Sequence, residues 1–83
     1  MLYMVELRYA EEHREAALGF FWEHGSTLYE SKVTVKEVWV ATHDRVAYAL
    51  VEAADPEAIA KASKPLENFG DVRFRHVNNV HEL

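Results

Sequence analysis

The spacing of apolar side chains predicts a strand and then a helix in the first third of the chain. Residues 2–9 are rich in strand-forming side chains. Residues 11–24 change period, because the i, i+3, i+4 and i+7 positions of a helix carry Leu18, Phe21, Trp22 and Gly25. Gly25 also suits the C-terminal cap of that helix. Residues 26–32 show no clear period, so we predict a connection there.

The remaining two thirds of the chain predict two strands, a helix and a last strand. Residues 33–42 and 45–53 form two apolar runs around the polar turn THDR. Asp55 can accept backbone N–H groups as an N-cap, and Pro56 is tolerated at the first helical position, so a second helix begins here. Residues 71–78 alternate between apolar and polar side chains, as a strand does.

The predicted element order is therefore β-α-β-β-α-β. Each helix connects two strands that can lie parallel through a right-handed crossover. This order is typical of ferredoxin-like folds. We predict one α+β domain over residues 1–83, with a four-stranded antiparallel sheet, both helices on one face, and the first and third strands in the centre.

Alternation along the strands divides their side chains into two faces. One set suits a face covered by helices: Tyr3, Val5, Leu7, Tyr9, Val35, Glu37, Trp39, Ala41, Ala47, Ala49, Val51, Val72, Phe74 and His76. Small Ala47 and Ala49 would let the helices come close to a central strand. We expect the core of the domain to lie between this face and the helices.

The opposite side of the predicted sheet, the open face, would carry six apolar side chains: Met4, Val38, Val40, Val46, Tyr48 and Leu50. Burial of each is worth about 1.5 kcal/mol or more, and large exposed apolar patches mark interaction surfaces. The simplest cover is a second copy of the chain in a closed two-fold dimer. The predicted interface also includes charged side chains of both signs: Glu6, Arg8, Glu52, Arg73 and Arg75.

Composition narrows the class of protein. The 83 residues carry a net charge of −5, and nucleic-acid-binding proteins usually have a basic surplus instead. There is no cysteine, no apolar run near the length of a membrane span, and no signal-peptide pattern at the N-terminus. We therefore expect a soluble, cytoplasmic protein that binds neither nucleic acid nor membrane.

Four stretches resemble a known family: MLYMVE at the start, VWV at 38–40, YALVEAADPEAI at 48–59, and VRFRHV near the end. They are similar to a short, uncharacterised family, labelled only as a domain of unknown function, in the dimeric α/β-barrel superfamily. That superfamily includes cofactor-free monooxygenases, haem-degrading enzymes, muconolactone isomerase-like proteins and small stress proteins. The resemblance implies a homodimer with a ligand cleft between sheet and helices in each protomer. The haem-degrading branch has an Asn on its first strand, whereas this chain has Glu6 and Arg8 there.

The candidate ligand-binding residues are Tyr3, Trp22, Trp39 and His76. Aromatic side chains with polar atoms suit a small, flat or apolar ligand, although the same residues also fit an ordinary core. His76 is the candidate catalytic residue, since a buried histidine near a carboxylate can act as acid or base near neutral pH. The five histidines show no metal-binding spacing, so we predict no metal and no cofactor.

Three functions stay open at this point. The first is a homodimer that binds a small molecule in the protomer cleft. The second is a cofactor-independent monooxygenase or isomerase that uses the same cleft, with His76 as base. The third is a structural or interaction dimer with a filled core. The family resemblance favours the first two, whereas the absence of any motif with catalytic spacing favours the first and the third. We therefore place the binding protein first and the enzyme second.

Overall fold

The architecture is seen in a computed structural model, which describes residues 1–25, 27–30 and 32–83. The strands are β1 (Leu2–Tyr9), β2 (Thr27–Leu28), β3 (Val33–Ala41), β4 (Val46–Ala53) and β5 (Gly70–Val77), and the helices are α1 (Arg14–His24) and α2 (Pro56–Ser63). Short 3-10 segments precede α1, follow α2, connect β3 to β4 and end the chain. No helix among these residues is long and apolar enough to cross a membrane.

The sheet has five strands in the order β2-β3-β4-β1-β5, and every neighbouring pair is antiparallel. The four long strands and the two helices follow the predicted order, with β1 and β4 in the centre. The predicted number of strands was wrong, because part of segment 26–32 pairs with the start of β3. Two residues are too few to show a strand period, and Leu28 is held there by burial in the core.

The core lies on one side of the sheet, between the strands and both helices. Its largest fully buried side chains include Leu7, Val51, Ile59 and Leu66. α2 begins as predicted: the Asp55 side chain accepts a 2.9 Å hydrogen bond from the backbone N–H of Ala58. The helix then turns its apolar face towards the sheet.

The predicted core stripe of α1 was displaced around the helix. Ala17 is fully buried and Phe20 and Phe21 pack against the core, whereas Trp22 is 89% exposed. Apolar side chains surround most of this helix, so its periodicity could not identify the buried side. Gly25 ends the helix with a positive φ of 64°, as expected of a cap.

A β-bulge interrupts β3 and changes which side its second half presents. Val35 pairs with Val51, but Glu37 pairs with Leu50, so Lys36 is the extra residue. Beyond it, Trp39 lies opposite Tyr48.

The predicted faces were therefore wrong from residue 37 onwards. Glu37, Trp39 and Ala41 lie on the open face, while Val38 and Val40 lie on the side of the helices, opposite Ala49 and Ala47. One extra residue exchanges the two sides because side chains alternate with a period of two.

Deletion of Lys36 tests the bulge. Without it, residues 33–35 and 37–41 keep their present faces in a regular strand. We expect the variant to fold, with a smaller loss in free energy of unfolding than the roughly 2–5 kcal/mol of an emptied core position. Deletion of Val38 should cost more, because the strand then keeps its pairing only by turning Glu37 towards the helices. Equal costs for both deletions in urea unfolding would place the bulge elsewhere.

Two glycines provide a second, matched test. A Cβ on Gly70 would lie 1.9 Å from the Arg8 carbonyl oxygen, whereas one on Gly19 has open space. Gly70→Ala should therefore lower the free energy of unfolding by about 1–3 kcal/mol, because β5 must move away from β1. Gly19→Ala, inside α1, should raise it by about 0.5–1 kcal/mol. The same sign for both in thermal or urea unfolding would contradict the close approach of β5.

Candidate functional site

Two rows of paired side chains cross the centre of the open face. The Met4 row contains one residue from each long strand, running from β5 through β1 and β4 to β3: Arg75, Met4, Leu50 and Glu37. The Tyr48 row lies beside it in the same strand order: Arg73, Glu6, Tyr48 and Trp39. Opposite residues of antiparallel strands lie about 4.5–5.5 Å apart, so each row is a continuous line of neighbouring side chains.

The middle of the two rows forms an apolar surface, which we call the open-face patch: Met4, Trp39, Tyr48 and Leu50. Trp39 is 47% exposed, and the other three are half-buried in the single chain. Trp39 was not predicted here, because strict alternation turned it inward. The signal that could have placed it is the pair Lys36–Glu37, two consecutive charged residues between Val35 and Val38 that break the alternation.

The charges on the open face are arranged by strand. β5 contributes Arg73 and Arg75, whereas Glu37 lies at the opposite end of the Met4 row, on β3. The positive residue of β3, Lys36, lines a groove at the end of the sheet together with Glu52 and His76. The open-face patch thus has a basic border on one side and an acidic residue on the other.

Two ion pairs lie around the same surface. Glu6, whose side chain is 21% exposed, has an oxygen 3.8 Å from Nε of Arg8. Arg73 Nε lies 3.4 Å from a carboxylate oxygen of Asp71. Such exposed pairs contribute little to stability, typically about 0–1 kcal/mol each. Their charged groups therefore stay available for new partners.

The other predicted interface residues have different surroundings. Val46 is buried within the single chain, so it adds no exposed surface to an interface. Val38 and Val40 are partly exposed, but on the side of the helices. Glu52 lies 3.5 Å from the N-terminal ammonium group of Met1. Of the residues predicted for the interface, those of the two rows share one continuous surface.

The structure does not bring the predicted ligand-binding residues together. Tyr3 is buried beneath the helices, Trp22 projects from the outer side of α1, and Trp39 lies on the open face. Only Tyr3 and His76 are neighbours, with ring centroids 5.5 Å apart. The reason is the combined effect of the bulge and the rotated stripe of α1.

The space between sheet and helices is nearly filled. The cavity lined by Val5, Phe21, Ile59 and Leu66, among others, has a volume of about 10 Å³. That is about the space of one water molecule, and the lining is apolar apart from Ser63, so it does not favour one. An organic ligand does not fit in this cavity.

His76, the candidate base, was expected to be buried near a carboxylate, but its side chain lies at the surface. It is exposed on β5, on the side of the helices, whereas Glu37 lies on the open face of β3, with β1 and β4 between them. Among the residues that the structure describes, no three histidine or carboxylate side chains form a group that could hold a metal ion. The role of His76 as a catalytic base stays a prediction.

A separate cluster of charges lies at the start of α2. Lys61 Nζ is 3.0 Å from a Glu57 carboxylate oxygen and 5.8 Å from the centre of the Tyr29 ring, and Lys32 Nζ is 5.2 Å from that ring. The hydrogen bond to Glu57, followed by that to Tyr29, raises the pKa of Lys61 above its ordinary value. The ammonium group is exposed, and the contacts are those of an ordinary helix-surface ion pair.

Comparison with known proteins gives one match. The family described as Domain of unknown function (DUF3303) matches residues 1–83. The chain belongs to this family. No curated protein and no solved structure matches it. The expected family of unknown function is thereby confirmed, and the likeness to the dimeric α/β-barrel superfamily stays a prediction.

The two tryptophans allow a direct test of where the structure places them. In Trp39→Phe, the remaining Trp22 should emit as an exposed indole and change little on unfolding. In Trp22→Phe, the remaining Trp39 should shift to longer wavelength on unfolding, because half of its surface is covered in the fold. Emission spectra with and without urea measure both, and a large shift for Trp22 would contradict its outward position.

Proposed function

We propose that the protein functions as a homodimer in which the open faces of two sheets pack against each other. The observation that carries this proposal is the open-face patch of Met4, Trp39, Tyr48 and Leu50. These side chains are contiguous across three strands and only partly covered in the single chain. Burial of such side chains stabilises by roughly 1.5–3 kcal/mol each when complete, which favours a partner surface.

The distribution of the core supports the same proposal. α1 and α2 both pack on one side of the sheet, through residues such as Ala17 and Ile59. The other side has only side chains of the strands themselves to cover its apolar centre. Antiparallel sheets that pack face to face share their inner side chains in a layer about 10 Å thick. A second copy supplies such a layer.

Of the three functions left open by the sequence, the structural or interaction dimer therefore has the best support. The 10 Å³ cavity between sheet and helices argues against a ligand cleft at that place. A filled core leaves the surface of the molecule for function, and the open face carries the contiguous apolar patch. The proposed role is that of a small homodimeric interaction module.

A second candidate function rests on a groove between α2 and β5. The groove measures about 300 Å³ and is lined by Lys61, Lys64, Val72 and Phe74, among others. Phe74 is 39% exposed and lies edge-on to Tyr3, with ring centroids 6.4 Å apart. This volume is at the lower limit of small-molecule sites. The lining also includes the carboxylate of Glu67, so a small aromatic ligand that carries polar groups is the one that it suits.

Native mass spectrometry of protein purified without a metal-affinity tag separates the two candidates. We expect two chains of 9.6 kDa each, without added mass. A constant extra mass that is lost in Phe74→Ala would support the groove instead. A single chain at micromolar concentration would contradict the homodimer.

Matched tryptophan substitutions test the surface itself. Trp39→Asp should weaken association about 30-fold or more, since loss of a central aromatic contact costs about 2 kcal/mol or more. Trp22→Asp changes the same residue type on the opposite side of the molecule and should leave association unchanged. Sedimentation velocity over a concentration series measures both, with circular dichroism to verify the fold. Equal weakening by the two substitutions would place the interface elsewhere.

A further inference from the structure

The two rows of the open face have ends that complement each other. Both rows begin with an arginine on β5. The Met4 row ends with Glu37 and the Tyr48 row with Trp39, both on β3. An arginine attracts a carboxylate by charge and the face of an indole ring by a cation–π interaction. The β5 end of each row thus suits the β3 end of the same row in another copy.

A two-fold axis can stack two such sheets in two ways. If the axis runs parallel to the strands, β5 of one protomer lies over β3 of its partner. If the axis lies in the plane of the interface and is perpendicular to the strands, β5 of one protomer lies over β5 of its partner. The second arrangement brings Arg73 and Arg75 of both chains together. Like charges that face each other at an interface weaken association by roughly several kcal/mol. The charges therefore distinguish the two arrangements.

Resting on the proposed homodimer, we infer that its two-fold axis runs parallel to the strands, between β1 and β4, so that each row packs against the same row of the partner. In the Met4 row, Arg75 then faces the partner's Glu37, and Met4 faces the partner's Leu50. The two contacts between Met4 and Leu50 and the two ion pairs between Arg75 and Glu37 are related by the two-fold symmetry, as expected of an isologous interface.

The Tyr48 row fits the same arrangement. Arg73 faces the ring of the partner's Trp39, which is 47% exposed in the single chain. Glu6 faces the partner's Tyr48, whose hydroxyl can donate a hydrogen bond to the carboxylate. The 3.8 Å separation of Glu6 from Arg8 is longer than a hydrogen bond, so a Glu6 oxygen is free to accept it. No residue of this row faces a like charge.

The twist of each sheet limits these contacts to the centre of the face. Packed sheets align at about −30°, so positions far from the axis diverge. Residues outside the two rows, such as Thr34 and Asp71, have no facing partner in the inferred interface. The Met4 and Tyr48 rows are adjacent and central, and they contain every contact used in the inference.

Charge reversal with rescue by mixing tests the orientation. Glu37→Lys places two like-charged pairs in the homodimer, and so does Arg75→Glu. We expect each variant alone to associate at least about 10-fold more weakly than the wild type, with a smaller difference at high salt. In an equimolar mixture, the lysine at position 37 faces the glutamate at position 75, and native Arg75 faces native Glu37. Association should return to the wild-type level.

Native mass spectrometry identifies the mixed dimer, because the two variants differ in mass. The mixed dimer should be far more abundant than the half of all dimers that random pairing of the two variants gives. Glu57→Lys is the control, since it changes the net charge by the same amount as Glu37→Lys but lies on the exposed side of α2. This variant should associate as the wild type does. Circular dichroism verifies that each variant folds.

Different failures have different meanings in this experiment. If the wild type is a dimer but the mixture forms no excess of the mixed dimer, the inferred orientation is wrong and the homodimer stands. If Glu57→Lys weakens association as much as Glu37→Lys, the effect does not come from the facing pairs, which also overturns the orientation. A monomeric wild type overturns the homodimer and the inference together.

Discussion

The extra residue in β3 decides which surface the rest of the molecule presents. Without the bulge at Lys36, Glu37 would point into the core and Trp39 would lie beneath the helices. With it, Val38 and Val40 turn towards the helices, and a carboxylate and an indole join the open face. The bulge keeps the charged Glu37 on the open face and gives the side of the helices two valines, so it removes a conflict between this sequence and a sheet covered on one side. The open-face patch exists because of that exchange.

The bulge also links the core to the proposed interface. One side of the sheet carries both helices, which cover its centre, while Val38 and Val40 on β3 and Phe74 on β5 stay partly exposed. Small alanines on β4 let the helices approach closely, and the cavity that is left has room for about one water molecule. Function is therefore expected at the surface of the sheet rather than in a cleft beneath the helices. The residues of the proposed interface and those of the core alternate along the same strands.

The arrangement of charge adds direction to an otherwise apolar surface. Apolar contacts bring two sheets together without defining how they align. The arginines on β5 and the acidic and aromatic ends of β3 are far apart in one chain, so they do not neutralise each other within it. Across a two-fold axis they become neighbours. In the proposed homodimer, charge would thus supply specificity for one orientation, and the apolar patch would supply most of the free energy of association.

Local signals in the sequence were sufficient for most of the elements. The bounds of β1 and the start of α2 were predicted correctly, since a run of strand formers and an Asp-Pro helix start depend on neighbouring residues alone. The order of the long strands followed from the handedness of crossover connections.

Three features depended on tertiary packing. Thr27–Leu28 forms a strand because Leu28 is buried against the core. Apolar side chains surround most of α1, so packing against the sheet decided which side of this helix is buried. In β3, either phase of the alternation presents two or three apolar side chains to one side, and only pairing with β4 showed where that phase changes. The sequence by itself determined the elements and their order. Tertiary structure decided which side chains face outward, because that choice depends on the register between strands distant in the chain.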